Sequence, residues 1–487
     1  MEKQPQKSSL TKLTGQGVLW QVGGGFIFTL LRLGSSACLA RLLDPRDFGI
    51  LGMGIIAVNA MTYIGNIGIG TAVVAKKEVN KNDLSTGFWI ILANRIILFL
   101  MAFLCAPLLA DFFREPRVTW VFRVASVVFL FSAFEAIPNS ILVKELKYKS
   151  LFFINVLRVI IESSLAIVLA YKTELRYWAL IIAMLSSYFS GLILLWLLVD
   201  WRPKLCFSKK SFLFYKSYLI NSFGNSIVLY FRQNIDYILV GRVLGSTSLG
   251  LYEYAYKIPH MFIDRFIFPI SNVLLPAFSK IQEDKTLVAD SFLKAFRIIC
   301  FFSFPSLLFL AATSDLVVPI LWGNKWMSIT TPLKILCVAA LLQAILRPSM
   351  QIFWVYRRPD LVFKNNMTQL IFTMIFVYLG SHLYGINGVA LGMLIGSIPN
   401  MFFFFIALNI INFDFKKLFT FLILLILISS ISAYVVYIFN MYSIFSNRIN
   451  LLLSSLTIGL IIFILLSFIT LKSLYRDLLN ISKSIFV

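Results

Sequence analysis

Ten ionisable side chains stand where hydrocarbon would ordinarily be. Arg32, Arg95, Arg158, Arg232, Lys257, Arg265 and Arg347 lie well inside long apolar stretches, and so do Glu162, Asp236 and Asp264. Glu135 and Glu253 sit nearer the ends of such stretches. Each of the seven cations is roughly 8 or more residues from a stretch end, or ~12 Å along a helix. A central Arg, Lys or Asp costs ~2.5–3.5 kcal/mol to insert, so ten facing lipid would cost on the order of 25–35 kcal/mol. They are therefore expected to face a hydrated interior. Seven cations against three acids leave four positive charges over, which suits an anionic cargo. Phosphate or diphosphate fits best, because guanidinium groups bind it bidentately. Arg32, Arg158, Arg232, Lys257, Arg265 and Arg347 are the candidate cavity cations. Asp236, Glu162 and Asp264 are the candidate ion-coupling groups. Two simpler readings stand beside these. Arg158–Glu162 and Arg232–Asp236 are spaced i,i+4 and can neutralise each other on one helix face, while Arg95 and Arg347 can snorkel to a membrane surface.

Other chemistry is not supported. The chain has no G-x-x-x-x-G-K-[ST] loop for a nucleotide, no G-x-S-x-G and no H-E-x-x-H. The five cysteines are scattered without a C-x-x-C pair, and the two histidines, His260 and His382, are isolated. No metal, cofactor or catalytic group is expected, so the chain is not read as an enzyme. A membrane polymerase or ligase would need acidic residues on a sizeable outer loop, and none is long enough.

The elements that position these charges follow from composition. The chain has 487 residues, of which 59% are hydrophobic and 14% charged, and its mean hydropathy is +0.86. A soluble protein carries roughly a quarter of its residues charged, so a soluble domain is excluded. Stretches of ~20 apolar residues recur, each long enough to cross ~30 Å of hydrocarbon. The expectation is an all-α polytopic membrane protein with about fourteen helices between about residue 17 and residue 471. Strands are excluded because the runs are too long and do not alternate. No cleavable signal peptide is evident; the polar, basic start leads into the first span. Alternate connections hold 26 Lys and Arg, against nine in the others: Arg41, Arg46, Arg114, Arg117, Lys172, Arg176, Arg242, Lys325 and Arg448. That bias places both termini in the cytoplasm and accounts for the net charge of +22 without nucleic acid. The nine tryptophans fall near span ends, as an aromatic belt would.

Two echoes indicate an internal duplication. Arg41 to Gly49 and Arg242 to Gly250 both place Arg and Gly eight apart. Ala179, Ala183, Ser187 and Gly191 form a small-residue ridge that is echoed by Gly388, Gly392 and Gly396. Six spans separate the partners, so the halves are parallel repeats, and the ridges are expected to let helices pack closely. The division expected is residues 1–210 (spans 1–6), 211–412 (spans 7–12) and an extra helix pair at 413–487.

The segment Leu39-Ala-Arg-Leu-Leu-Asp-Pro-Arg-Asp-Phe-Gly-Ile-Leu51 resembles the signature after the first helix of bacterial polysaccharide exporters. Asp236-Tyr-Ile-Leu-Val-Gly-Arg-Val-Leu-Gly245, Leu249-Gly-Leu-Tyr-Glu-Tyr-Ala-Tyr-Lys-Ile-Pro259 and Pro276-Ala-Phe-Ser-Lys-Ile-Gln282 are similar to it too. The chain looks like the polysaccharide-transporter branch of the multidrug/oligosaccharidyl-lipid/polysaccharide flippase superfamily, nearest the colanic-acid and teichuronic-acid exporter type. That resemblance implies a cargo of undecaprenyl-diphosphate-linked oligosaccharide, flipped across the bacterial inner membrane by alternating access. Polysaccharide assembly proteins are the further partners it suggests. It implies cavity roles for Arg32, Arg232, Lys257 and Arg265, and leaves Asp236 as either the partner of Arg232 or a coupling site. A multidrug or organic-ion exporter of the same superfamily is the alternative, and it would need an acidic cavity.

Overall fold

The computed structural model describes residues 25, 27–221, 223–443, 447–471 and 475. Residues 17–24 of the first expected span, Trp20, and the basic Lys3, Lys7, Lys12, Lys472, Arg476 and Lys483 lie outside the described residues. The described chain is helical and contains no strand. Among the described residues, eleven helical segments are long and apolar enough to cross a membrane, and two of these, of 54 and 52 residues, contain a sharp internal turn. The chain divides into two compact units, residues 1–234 with 245–250, and residues 235–244 with 251–487.

In the first unit, α1 covers 27–42. α2 (Pro45–Ile64) starts on Pro45, whose fixed φ suits a first helical position. The Asp44 backbone N–H donates to the Asp47 carboxylate at 3.1 Å. The apolar run continues to residue 73, long enough for one span, but α2 stops at Gly65. The chain restarts as α3 (Ile69–Ala75) after Gly68, whose φ of +68° favours glycine. α4 (Lys81–Phe113) opens on a reciprocal cap: Asn80 accepts from the Asp83 N–H at 2.8 Å, and Asp83 accepts from the Asn80 N–H at 3.0 Å. α5 (Val118–Ala125), α6 (Val127–Lys144), α7 (Tyr148–Lys172), α8 (Tyr177–Leu198) and α9 (Lys209–Asn221) follow. α10 (Phe223–Phe262) reverses at Gly245 (φ +81°), with Asp236 and Tyr237 returning onto Tyr252. α6 packs on α4 and α8, and α7 packs on α8.

The two glycines of the first echo meet. A Cβ on Gly49 would lie 1.6 Å from the Ser246 carbonyl oxygen, and one on Gly250 would lie 1.9 Å from that of Pro45 and 3.1 Å from the Gly49 nitrogen. Glu115 clamps this contact by accepting from Arg46 and Arg117 at 3.3 Å each and from the Ser246 hydroxyl at 3.4 Å.

The second unit continues from α10 through a π-helical turn (Ile263–Ile267) into α11 (Phe268–Lys280). α12 (Lys285–Ala312) is capped by Asp284. The Thr286 hydroxyl and two backbone N–H groups hold the Asp284 carboxyl below its usual range. α13 (Ser314–Leu321), α14 (Thr330–Leu346), α15 (Met350–Val355), α16 (Pro359–Ser397), α17 (Asn400–Ile410), α18 (Phe415–Tyr442) and α19 (Arg448–Thr470) complete it. α16 reverses at Tyr384–Gly385 (φ +56° at Gly385). There the small-residue ridge closes a helical hairpin. A Cβ on Gly388 would lie 1.9 Å from the Gly380 oxygen, one on Gly392 would lie 2.6 Å from Phe376, and one on Gly396 would lie 2.7 Å from Thr373. Trp322 and Trp326 are not part of an aromatic belt: both are fully buried against Tyr254, with ring centroids 5.1 and 4.1 Å away.

Candidate functional site

Each unit holds a charged centre among its apolar helices. In the first, three helices build it. α6 brings Glu135, α7 brings Arg158 and Glu162, and α8 brings Tyr188 and Gly191. The Arg158 Nη2 donates to the Glu135 Oε1 at 2.5 Å, and the guanidinium lies 5.7 Å from the Tyr188 ring centroid. Local spacing suggested Glu162 as the partner of Arg158. The pair actually formed crosses between helices, because the guanidinium lies back over Gly191 toward α6. Arg32, on α1, is exposed, and its charge acts on Glu162 and Tyr188. Gly191 serves a purpose beyond helix packing: a Cβ there would lie 1.7 Å from the Arg158 Nε. Beside the pair is a cavity of about 390 Å³ lined by polar Ser132, Asn139 and Asn155.

The second centre is built on interrupted helices. Arg265 and Asp264 occupy the π turn, and Arg347 occupies a 3₁₀ turn, Arg347–Ser349. Prolines follow both, Pro269 in the first turn of α11 and Pro348 within the second. A proline removes a backbone donor and crowds the preceding turn, which forces such irregularity. The π turn packs on α14, and the 3₁₀ turn packs on α11. The charges of Arg347 and Arg265 both act on Asp264, which also accepts from His260 Nδ1 at 3.1 Å. Arg347 stacks its guanidinium 4.6 Å from the Phe268 ring centroid. Lys257 lies 4.6 Å from the Tyr254 ring centroid. Glu253 is four residues before Lys257 and feels its charge. Asp236 is buried and accepts from the Tyr252 hydroxyl at 2.7 Å, within a cluster with Tyr237 and Tyr256.

The structure thus brings Arg158 together with Glu135, Lys257 with Glu253, and Asp264 with Arg265, Arg347 and His260. Arg232 is half-buried on α10. Arg265 and Asp264, like Arg32, are exposed. Counting Glu135 and Glu253, the seven cations within the apolar stretches stand against five acids, and the surplus falls from four to two. Arg95 carries more weight than its sequence reading gave it. Its Nε and Nη1 are buried on α4 with no hydrogen-bond partner among the described residues. An unsatisfied buried guanidinium is costly, and polar partners at that site would have to come from solvent or a ligand. Glu135, His260 and Glu253 were the other residues left outside the candidate set. Glu253 and His260 had a local signal, their i,i+4 spacing to Lys257 and Asp264, and Glu135 had none.

Long apolar helices that carry ionisable groups along their middle turns define an integral membrane protein of the transporter type. Residues 38–331 match the model of the family described as polysaccharide biosynthesis protein, and the chain belongs to that family. It is 27% identical over 404 residues to the lipopolysaccharide biosynthesis protein WzxC of Escherichia coli, covering 80% of each chain. It is 22% identical to the teichuronic acid biosynthesis protein TuaB of Bacillus subtilis, covering 83% of this chain and 82% of that one. In fold it is similar to the lipid II flippase MurJ in an inward closed conformation. That likeness has a TM-score of 0.75 at 17% identity, over 95% of this chain and all of that one. An inward-facing multidrug resistance transporter of the MATE family gives a TM-score of 0.61 at 16% identity, covering 79% and 94%.

Proposed function

We propose that the protein flips undecaprenyl-diphosphate-linked oligosaccharide across the bacterial cytoplasmic membrane, from the inner to the outer leaflet, during envelope polysaccharide synthesis. Its substrate is amphiphilic. The diphosphate and sugars need a polar, cationic interior, while the polyprenyl tail stays in lipid. The observation that carries the reading is the placing of Arg265 and Arg347 on irregular turns that pack on α14 and α11, near enough to the exposed carboxylate of Asp264 for both charges to act on it. Two guanidinium groups around a single acid leave net positive charge for an anion. Arg32, Arg232 and Lys257 are proposed as further cavity cations, with Arg158 held in its pair with Glu135. Arg95 joins them on the strength of its unsatisfied nitrogens. Asp236, Glu162 and Asp264 are proposed coupling groups.

The two relatives named for lipopolysaccharide and teichuronic acid biosynthesis support the cargo class. The excess of Lys and Arg in alternate connections supports placing both termini in the cytoplasm. In this reading residues 1–210 and 211–412 act as the alternating lobes, with 413–487 as an appended helix pair, and no chemical transformation of the cargo takes place. A multidrug exporter would place net negative charge around its cargo, opposite to the surplus of two cations here. Deletion of the gene tests the proposal. Lipid-linked repeat units should accumulate in the inner leaflet and surface polysaccharide should be lost. Normal delivery of repeat units to the outer leaflet, in a strain without a second exporter, would overturn it.

A further inference from the structure

The Glu135–Arg158 pair joins two membrane-crossing helices beside a half-open polar cavity. We propose that it is a proton-binding switch: protonation of Glu135 releases Arg158, which passes to Glu162 one turn further along α7. The proposal deepens the flippase reading by naming a coupling ion and its site.

Four observations carry it. First, Glu135 and Arg158 border a cavity of about 390 Å³ whose lining includes Ser132, Asn139 and Asn155. Hydroxyl and amide groups of this kind hydrogen-bond water, the carrier a proton needs. Second, the guanidinium sits 2.5 Å from the carboxylate. A metal cation at that oxygen would need several oxygen ligands and would face a fixed positive charge, whereas a proton forms one O–H bond and needs no such shell. Third, the Arg158 Nε is buried without a hydrogen-bond partner, so its present seat does not satisfy the whole group. Fourth, Glu162 lies at i+4 from Arg158 on the same helix, within reach of the long side chain.

The balance closes. A proton passes from cavity water to a Glu135 oxygen, the guanidinium keeps its charge, and the Glu162 carboxylate neutralises it in the new position. Arg158 of α7 acts directly on Glu135, and Tyr188 of α8 feels Glu135 and Arg158 together with Glu162 of α7 and Arg32 of α1. α3 carries none, α5 carries Arg123, and the mid-helix ionisable groups on α4 are Arg95 and Cys105. Breaking the pair uncouples α6 from α7, which is the element such a switch would bias.

The test has two arms on the full-length protein. In lipid nanodiscs, infrared difference spectra between about pH 8 and about pH 5 should show a protonated-carboxyl band that Glu135→Gln removes. Glu135→Asp should keep that band with a shifted midpoint. A band set unchanged in Glu135→Gln overturns the proposal, and so does one absent from the unmutated protein. In proteoliposomes carrying a fluorescent diphosphate-linked oligosaccharide, an imposed pH gradient should speed flipping at least severalfold in the unmutated protein. It should have no effect in Glu135→Gln. Equal acceleration in both overturns the switch. Absence of flipping by the unmutated protein instead overturns the flippase reading, leaving the infrared result to decide the switch separately.

Discussion

Replacing Gly191 by alanine tests the geometry of the first charged centre with a single methyl group. Its Cβ would stand 1.7 Å from Arg158 Nε and 2.3 Å from the guanidinium carbon. Ordinary contact begins near 3.4 Å, so the guanidinium must retreat by about 1.7 Å, and the 2.5 Å bond to Glu135 cannot survive. Breaking a fully buried pair costs about 3–5 kcal/mol. Here the side chains of Arg158 and Glu135 are 20% and 13% exposed and border a polar cavity, so water recovers part of that cost. We expect a loss of about 2 kcal/mol, a factor of roughly 30 in the folding equilibrium. The assay is a double-mutant cycle on detergent-solubilised protein, followed by denaturant unfolding. In an Arg158→Met background, the flexible thioether can yield to the methyl group, and Gly191→Ala should cost under about 0.5 kcal/mol. The coupling is then about 1.5 kcal/mol, within the range for contacting residues. An equal loss in both backgrounds would refute the reasoning, because Gly191 would then be a helix-packing residue with no bearing on Arg158.

Three further outcomes follow from other contacts. Gly49→Val should cost at least about 1–3 kcal/mol of stability, since its Cβ would meet the backbone oxygen of Ser246 at 1.6 Å; thermal unfolding of the purified protein reads this. Tyr252→Phe removes the hydroxyl that donates to buried Asp236 at 2.7 Å and should destabilise by about 1–3 kcal/mol, a loss that Asp236→Leu in the same background should largely erase. Arg265→Glu and Arg32→Glu should each abolish export while the protein still inserts at normal levels. Wild-type export in both variants would remove these side chains from the cargo path.

The helical, membrane-spanning character of the chain was legible because the cost of exposing backbone to hydrocarbon forces long apolar helices, and these stand out in composition alone. The echoing glycines Gly49 and Gly250 were also legible, and the structure adds that they touch. The pairing of charges was far less so. Spacing along one helix reveals Arg158 and Glu162 as neighbours, but nothing in the sequence brings Glu135 of α6 to Arg158 of α7, because that contact depends on how two helices pack. The burial of Trp322 and Trp326 was hidden for the same reason: an aromatic residue near a span end has one sequence signature whether it faces lipid or Tyr254. The turns that hold Arg265 and Arg347 off the regular helix were foreshadowed by Pro269 and Pro348, though hydropathy smooths over such breaks. Glu253 was visible at four residues from Lys257, a spacing that pairs the two on one helix face.

Transport of the cargo itself is the most direct test. Purified protein would be reconstituted into vesicles whose inner leaflet carries a fluorescent undecaprenyl-diphosphate-linked oligosaccharide, with outward arrival read by a membrane-impermeant quencher. Rapid flipping that fails when the diphosphate is replaced by a neutral linker is the predicted result. Equal flipping of the neutral analogue, or export of organic cations in preference to either, would contradict a cationic interior built around a phosphorylated lipid.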